Sequence, residues 1–282
     1  EPMPPALKQE LMALNTPGAD ELHRAALAAN ALVGLYTHTV DALLAHTQTP
    51  REAITAIGAH GQTVRHQPGL HDGTGYTWQL NNPSLLAERT GIDVVADFRS
   101  RDIAAGGQGA PLVPAFHQGV FGKTHQTVAV LNLGGIANLS VLRANGDVLG
   151  FDCGPGNALL DHWCHRHTGA HYDAAGQWAA QGQVLPSLLA QLMQEPFLHQ
   201  APPKSTGRDL FHPEWLATHL SALEVALPAD VQATLTAFTA QACANDVRQH
   251  ASDAQELIVC GGGALNLHLM DRLQQALPQL QV

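Results

Sequence analysis

Between Thr127 and Leu160 the chain switches from long apolar runs to short glycine-bearing breaks, and this pattern predicts most of a sheet. Val128 to Leu133 is almost continuously apolar, as expected for a strand covered on both faces. Gly134-Gly135 interrupts the run and Ile136 to Leu142 resumes it, which predicts a hairpin. Asn145-Gly146 marks the next turn. Val148 to Phe151 predicts a short third strand, with Asp152 delivered at its C-terminal end. Cys153-Gly154-Pro155-Gly156-Asn157 then leads into a helix whose apolar face carries Leu159, Leu160 and Trp163.

The flanking segments read as alternating helices and strands. Pro5 to Asn15 and Ala19 to Thr47 are helical by pattern, with Asp20 near the start of the second and Pro50 just past its end. Ala53 to Ala59 predicts a strand running into the polar loop His60-Gly61-Gln62-Thr63, which is either a ligand loop or a turn. Tyr76 to Leu80 is a short strand, and Asn82-Pro83-Ser84 opens a helix ended at Gly91. Asp93 to Phe98 reads as a buried strand opening into Arg99-Ser100-Arg101-Asp102. A glycine- and proline-rich loop from Ala104 to Pro114, a helix from Ala115 to Phe121 and a hinge at 122–125 follow. They predict a first domain over 1–124 and a second over 125–282.

In the second domain Gln183 to Gln194 is amphipathic, His212-Pro213-Glu214 opens a helix, and Ala229 to Ala251 is a long helix expected to cover the sheet. Glu256 to Cys260 predicts a strand ending in Gly261-Gly262-Gly263. A helix with Leu265, Leu269, Leu273 and Leu277 comes next.

Composition narrows the class. The 282 residues are 45% hydrophobic and 13% charged, enough for one large or two ordinary globular domains. A net charge of −10 excludes a general nucleic-acid or anionic-membrane surface, so a phosphate-bearing ligand must be held by local groups. The four cysteines form no CxxC pair, which predicts reduced thiols in a cytoplasmic protein. No apolar run reaches the length of a transmembrane helix. The 17 histidines are scattered and lack an HExxH-type partner, so no metal site is expected from side chains.

Several short features offer chemistry, each with a plainer alternative. Gly134-Gly135 lets backbone N–H groups approach an anion, or is only a hairpin turn. Asp152 sits where open α/β sheets hold catalytic groups, or caps the next helix. Arg99 and Arg101 are placed to clamp an anionic or polyhydroxylated ligand, or pair with Asp97 or Asp102. Lys204-Ser205-Thr206-Gly207-Arg208 is a small basic loop, near phosphate or simply solvated. Strand, Gly261-Gly262-Gly263 and helix form an arrangement that receives nucleotides, although neither GxGxxG nor GxxxxGK[ST] occurs. Cys153 before a helix is a candidate thiol nucleophile, opposed by the neighbouring Asp152 and lacking a placed histidine.

Taken in order, GAHGQTVRH (58–66), GIDVVADFRSRDIAAGGQGAPLVPAFH (91–117), LNLGGIANLS (131–140), GFDCGPGNALLDHW (150–163), KSTGRDLF (204–211) and IVCGGGALN (258–266) resemble the anhydro-N-acetylmuramic acid kinases, members of the sugar kinase, Hsp70 and actin superfamily. The resemblance implies an α/β fold of two lobes, each a mixed sheet flanked by helices, with ligands in the interlobe cleft. It implies an enzyme that uses ATP and Mg²⁺ to open the 1,6-anhydro ring with water and to phosphorylate O6, yielding N-acetylmuramic acid 6-phosphate in peptidoglycan recycling. By the same resemblance Asp152 is the base that activates water. Arg101, His60, Gln62 and Thr63 lie on the sugar side. Gly134, Gly135 and Asn138 form a phosphate turn, and Gly261, Gly262 and Gly263 flank the nucleotide. A homodimer is implied as well.

Two departures accompany the resemblance. The family's first phosphate hairpin, expected before Glu1, and its sugar-contacting glutamate, expected after Val282, do not occur in these residues. The expectation is therefore that they are part of a longer protein, and that alone they would lack kinase activity. The rival from another class is a non-catalytic, nucleotide-dependent binding protein of the same superfamily.

Overall fold

The computed structural model describes residues 1–207, 210–221 and 226–282, in two compact units, Glu1–Gly109 and Ala110–Val282. The first begins with helices α1 (Pro5–Ala13) and α2 (Glu21–Thr47). Strand β1 (Ile57–Gly58) pairs in parallel with β4 (Val94–Val95), and β2 (Gln62–Pro68) forms an antiparallel hairpin with β3 (Gly75–Leu80). Helix α3 (Pro83–Thr90) starts where the Asn82 side chain accepts from the Leu85 N–H and stops at the left-handed Gly91. Helix α4 (Ser100–Ala104) closes the unit. Its small core is formed by Leu11, Leu14, Ala25, Ala28, Ala29, Val64 and Leu80.

Two strand expectations are corrected here. Ala53–Ala59 reduces to β1 because its partner β4 offers only two residues for pairing. The expected buried strand over 93–98 is likewise short and lies open to solvent, with Val95 52% exposed. Conversely, β2 forms where the sequence carries no strand pattern. Its polar run is held by β3 and by Arg65, which bonds the Leu14 carbonyl and the Glu21 carboxylate.

The second unit opens with α5 (Pro114–Phe121). The division between Gly109 and Ala110 thus precedes the boundary expected after Thr124, because α5 packs on the sheet that follows. That sheet contains β5 (Thr127–Leu133), β6 (Ile136–Leu142), β7 (Val148–Pro155) and, after four helices, β8 (Ala254–Cys260), in the order β7-β6-β5-β8. The first three strands form an antiparallel meander and β8 joins β5 in parallel. Gln281 adds a parallel bridge to Glu256 on the outer side of β8.

Between β7 and β8 lie α6 (Ala158–Thr168), α7 (Pro186–Leu192), α8 (Pro213–Leu220) and α9 (Pro228–His250); α10 (Leu267–Ala276) follows β8. Helices α9 and α10 cover one sheet face, burying Leu131, Leu139 and Phe151 against Ala240, Cys243, Val247, Leu269 and Leu273. Each fully buried large side chain contributes about 1.5–3 kcal/mol. On the opposite face Val128, Val130 and Leu142 meet Phe121 of α5. Leu265 stands outside this core at 79% exposure, because a 3₁₀ turn over Gly262–Leu265 delays the start of α10. All four cysteines are free thiols.

Candidate active site

Strand pairing in the second unit sets Asp152, Asn138, Asn132 and Cys260 in one row across the sheet. Asp152 is in register with Asn138, Asn138 with Asn132, and Asn132 with Cys260. The row occurs where the strands run out into their glycine turns. The sequence places Asp152 at the end of its strand, and the structure corrects this. The strand continues through Cys153, Gly154 and Pro155, because β6 keeps pairing as far as Ile136↔Pro155. Asp152 is 5% exposed, its N–H donates to the Lys204 carbonyl at 3.0 Å, and its Oδ2 accepts from the Thr206 N–H at 2.9 Å. Asn138 Oδ1 is buried and has no hydrogen-bond partner among the described residues.

The glycine turns converge beside this row. Asn157 N–H donates to the Gly134 carbonyl at 2.7 Å, and the N–H groups of Gly156 and Ala158 donate to the Gly135 carbonyl at 3.0 and 3.1 Å. The Asn157 side chain donates to the Leu133 carbonyl at 3.0 Å. The start of α6 is therefore fastened to the β5–β6 turn through the turn's carbonyls. Gly156 is required by this approach, since a Cβ there would lie 2.1 Å from the Gly134 oxygen. Gly261 has φ +83°, and its Cβ would lie 2.6 Å from Asn132 Oδ1.

In the first unit His60 is half-buried. Its Nδ1 bonds the Gly61 carbonyl at 2.8 Å, and Arg99 Nε donates to its Nε2 at 2.7 Å. An arginine donor on Nε2 requires a lone pair there, so the proton resides on Nδ1 and the ring is neutral. Burial, joined by the Arg99 charge, pulls the His60 pKa below its ordinary value. Arg99 also donates to the Gly109 carbonyl at 2.6 Å, and Asp102 accepts from the Gly109 N–H at 2.6 Å. Thr63 Oγ1 accepts from Gln79, while Gln62 and Arg101 are exposed. Gln62 and Thr63 belong to β2 rather than to a loop. Arg208 lies outside the described residues.

Beneath Asp152 is a buried cluster that sequence reading missed. Lys204 is 3% exposed and Asp246 4%. Lys204 Nζ lies 3.5 Å from Asp246 Oδ2, an ion pair outside hydrogen-bond geometry, and donates to the Leu198 carbonyl at 3.2 Å. Burial pushes the Asp246 carboxyl up to about 6 against the opposing pull of Lys204 and of a Cys153 hydrogen bond. The carboxyl is raised in the folded state, so its protonation favours folding. That stability is fully present at low pH and is lost as pH rises through about 6. We expect the stability of the wild type relative to Asp246→Asn to fall by about 2–3 kcal/mol between pH 4 and 7, measured by denaturant titration at each pH. A flat difference would contradict a raised Asp246 carboxyl.

The thiol reading of Cys153 is corrected. The side chain is fully buried within β7, and burial, with Cys243 and Asp246 beside it, pushes the thiol well above its usual range. A nucleophilic cysteine needs the opposite environment. Iodoacetamide should leave Cys153 unmodified in the folded protein by peptide mass spectrometry; rapid labelling there would refute its burial.

A buried, strand-borne carboxylate beside two glycine turns makes this a mixed α/β protein whose site suits an anionic ligand, while the buried Cys153 rules against a thiol hydrolase. A family model described as anhydro-N-acetylmuramic acid kinase matches residues 1–282. The anhydro-N-acetylmuramic acid kinase of Variovorax paradoxus (strain S110) is 63% identical over 286 residues, spanning 100% of this chain and 76% of that protein. The kinase of the same description from Albidiferax ferrireducens is 59% identical over 301 residues, covering 100% and 77%. The chain belongs to the anhydro-N-acetylmuramic acid kinase family. Among solved structures, the activator of the 2-hydroxyisocaproyl-CoA dehydratase from Clostridium difficile with bound ADPNP aligns at TM-score 0.44 and 13% identity, over 86% of this chain and 73% of that one.

Proposed function

We propose that the protein is an ATP-dependent kinase that opens the 1,6-anhydro ring of anhydro-N-acetylmuramic acid with water and phosphorylates O6, giving N-acetylmuramic acid 6-phosphate for peptidoglycan recycling. The structural observation that carries the reading is the row Asp152–Asn138–Asn132, which sets a buried carboxylate in register beside the β5–β6 glycine turn. Water is a weak nucleophile at C1, so a base must take its proton as the C–O bond forms, and Asp152 is that base. The C1–O6 bond breaks as the water oxygen attaches. O6 then attacks the γ-phosphorus of ATP, the bond to the β-phosphate oxygen breaks, and ADP leaves.

The phosphoryl step depends on alignment and charge neutralisation. Gly134, Gly135 and Asn138 serve the phosphates and Gly261, Gly262 and Gly263 the nucleotide. Arg101, His60, Gln62 and Thr63 serve the sugar, His60 in the single neutral tautomer that Arg99 sets. Among the described residues no three His, Cys, Asp or Glu side chains form a metal cage. A Mg²⁺ ion arriving with ATP would be held mainly by phosphate oxygens and water and would neutralise charge on the transferring group. We place the enzyme in the cytoplasm on the strength of its four free thiols, and as a homodimer on the strength of the family resemblance.

The reading predicts that ADP appears in a one-to-one ratio with anhydro sugar consumed, measured in the full-length protein by a coupled ADP assay and chromatography of the sugar. ADP formed without any change in the sugar would favour the nucleotide-dependent binding protein instead.

A further inference from the structure

The segment Ala201–Gly207 contains no helix or strand, yet its backbone meets Asp152 at two points. The Lys204 carbonyl accepts from the Asp152 N–H, and two residues later the Thr206 N–H donates to Asp152 Oδ2. The Lys204 side chain anchors this segment in the interior. Its Nζ lies 5.6 Å from the centroid of the Phe151 ring and 5.1 Å from that of Phe197, and ends at the Leu198 carbonyl and Asp246. Phe151 precedes Asp152 on the same strand, so the lysine touches β7 on the residue next to the acid. Apolar residues of equal volume often stabilise such a position as well as an ion pair does. A directional anchor is what an apolar side chain of that volume could not supply: Nζ is aimed at the Leu198 carbonyl and Asp246.

We propose that Lys204 is a positioning residue for the kinase reaction: held by Asp246 and Leu198, it fixes residues 204–206 so that the Thr206 N–H orients the Asp152 carboxylate. This rests on the reading of Asp152 as the base. The test compares wild type, Lys204→Met, Lys204→Arg, the double variant Lys204→Met/Asp246→Leu and Asp152→Asn, all in the full-length protein. Lys204→Met alone strands a buried carboxylate and is the variant expected to unfold; the double variant replaces the pair by packed apolar groups and is expected to fold.

In the folded double variant kcat falls about 10–100-fold while KM for ATP stays within about twofold, because the loss is one of alignment. The acid limb of its kcat–pH profile moves to higher pH, since removing a donor from a carboxylate favours the protonated form. Lys204→Arg recovers part of the loss. A double variant of wild-type melting temperature, kcat and acid limb would overturn the proposal even if Asp152→Asn is inactive. Turnover surviving in Asp152→Asn would instead remove the base assignment itself.

Discussion

Asp152→Asn lowers kcat by on the order of 10²–10⁴-fold and leaves the folded structure and ATP binding in place. The amide has the shape of the carboxylate, and its oxygen can still accept from the Thr206 N–H that now meets Oδ2. The Asp152 N–H bond to the Lys204 carbonyl is a main-chain contact and is unaffected. What disappears is basicity, and with it the means of removing a proton from water as C1 is attacked. Steady-state kinetics with a thermal melt and a nucleotide titration separate this from misfolding. A variant with most of its turnover would mean that water is activated elsewhere.

The second large effect concerns the glycine turns, which differ in what they require. Gly134 has room for a side chain within the protein itself: an added Cβ would find its nearest neighbours at 3.4 and 3.5 Å, ordinary contact distances. The fold therefore does not demand glycine there, whereas a phosphate lying against the turn would. Gly134→Ala should melt within a few degrees of wild type, yet bind ATP about tenfold or more weakly, a loss of about 1.4 kcal/mol. Gly261→Ala should behave differently. Its left-handed φ and the approach of Asn132 Oδ1 and the Leu133 carbonyl make it a structural glycine, so stability itself should drop by about 1–3 kcal/mol. Calorimetry and denaturant melts on both variants check the contrast. Unchanged ATP affinity in Gly134→Ala would remove this turn from the phosphate site.

The second unit was largely legible in the sequence because its strands carry unbroken apolar runs and its turns carry glycines. β5, β6, the turn at Asn145-Gly146, α9 and β8 fall where the pattern puts them. In the first unit the pattern misled in both directions. Ala53–Ala59 and Asp93–Phe98 have the composition of strands but only two-residue partners to pair with. Gln62–Pro68 has the composition of a loop but a six-residue partner in β3 and an arginine anchor. Pairing is decided by what lies across the ladder, and local composition does not contain that information.

The candidate site divides in the same way. Asp152 and the glycines announce themselves through spacing and family motif. Lys204 looked like part of a solvated basic loop and proves to be buried, because its partner Asp246 is supplied by a distant helix. Arg99 and Arg101 looked equivalent, but the fold turns Arg99 onto His60 and leaves Arg101 exposed. Asn157, which ties α6 to β5, carried no signal beyond its place in the GPGN turn.

The central claim is that one active site both hydrolyses the anhydro ring and transfers phosphate. The measurement that tests it most directly is turnover of the full-length protein with ATP, Mg²⁺ and anhydro-N-acetylmuramic acid in ¹⁸O-labelled water, followed by mass spectrometry of the sugar. The expected product is heavier than the substrate by one phosphoryl group and one water, with a single ¹⁸O on C1 and none between O6 and phosphorus. ATP consumed with the anhydro ring intact, or ¹⁸O found only in inorganic phosphate, would contradict it.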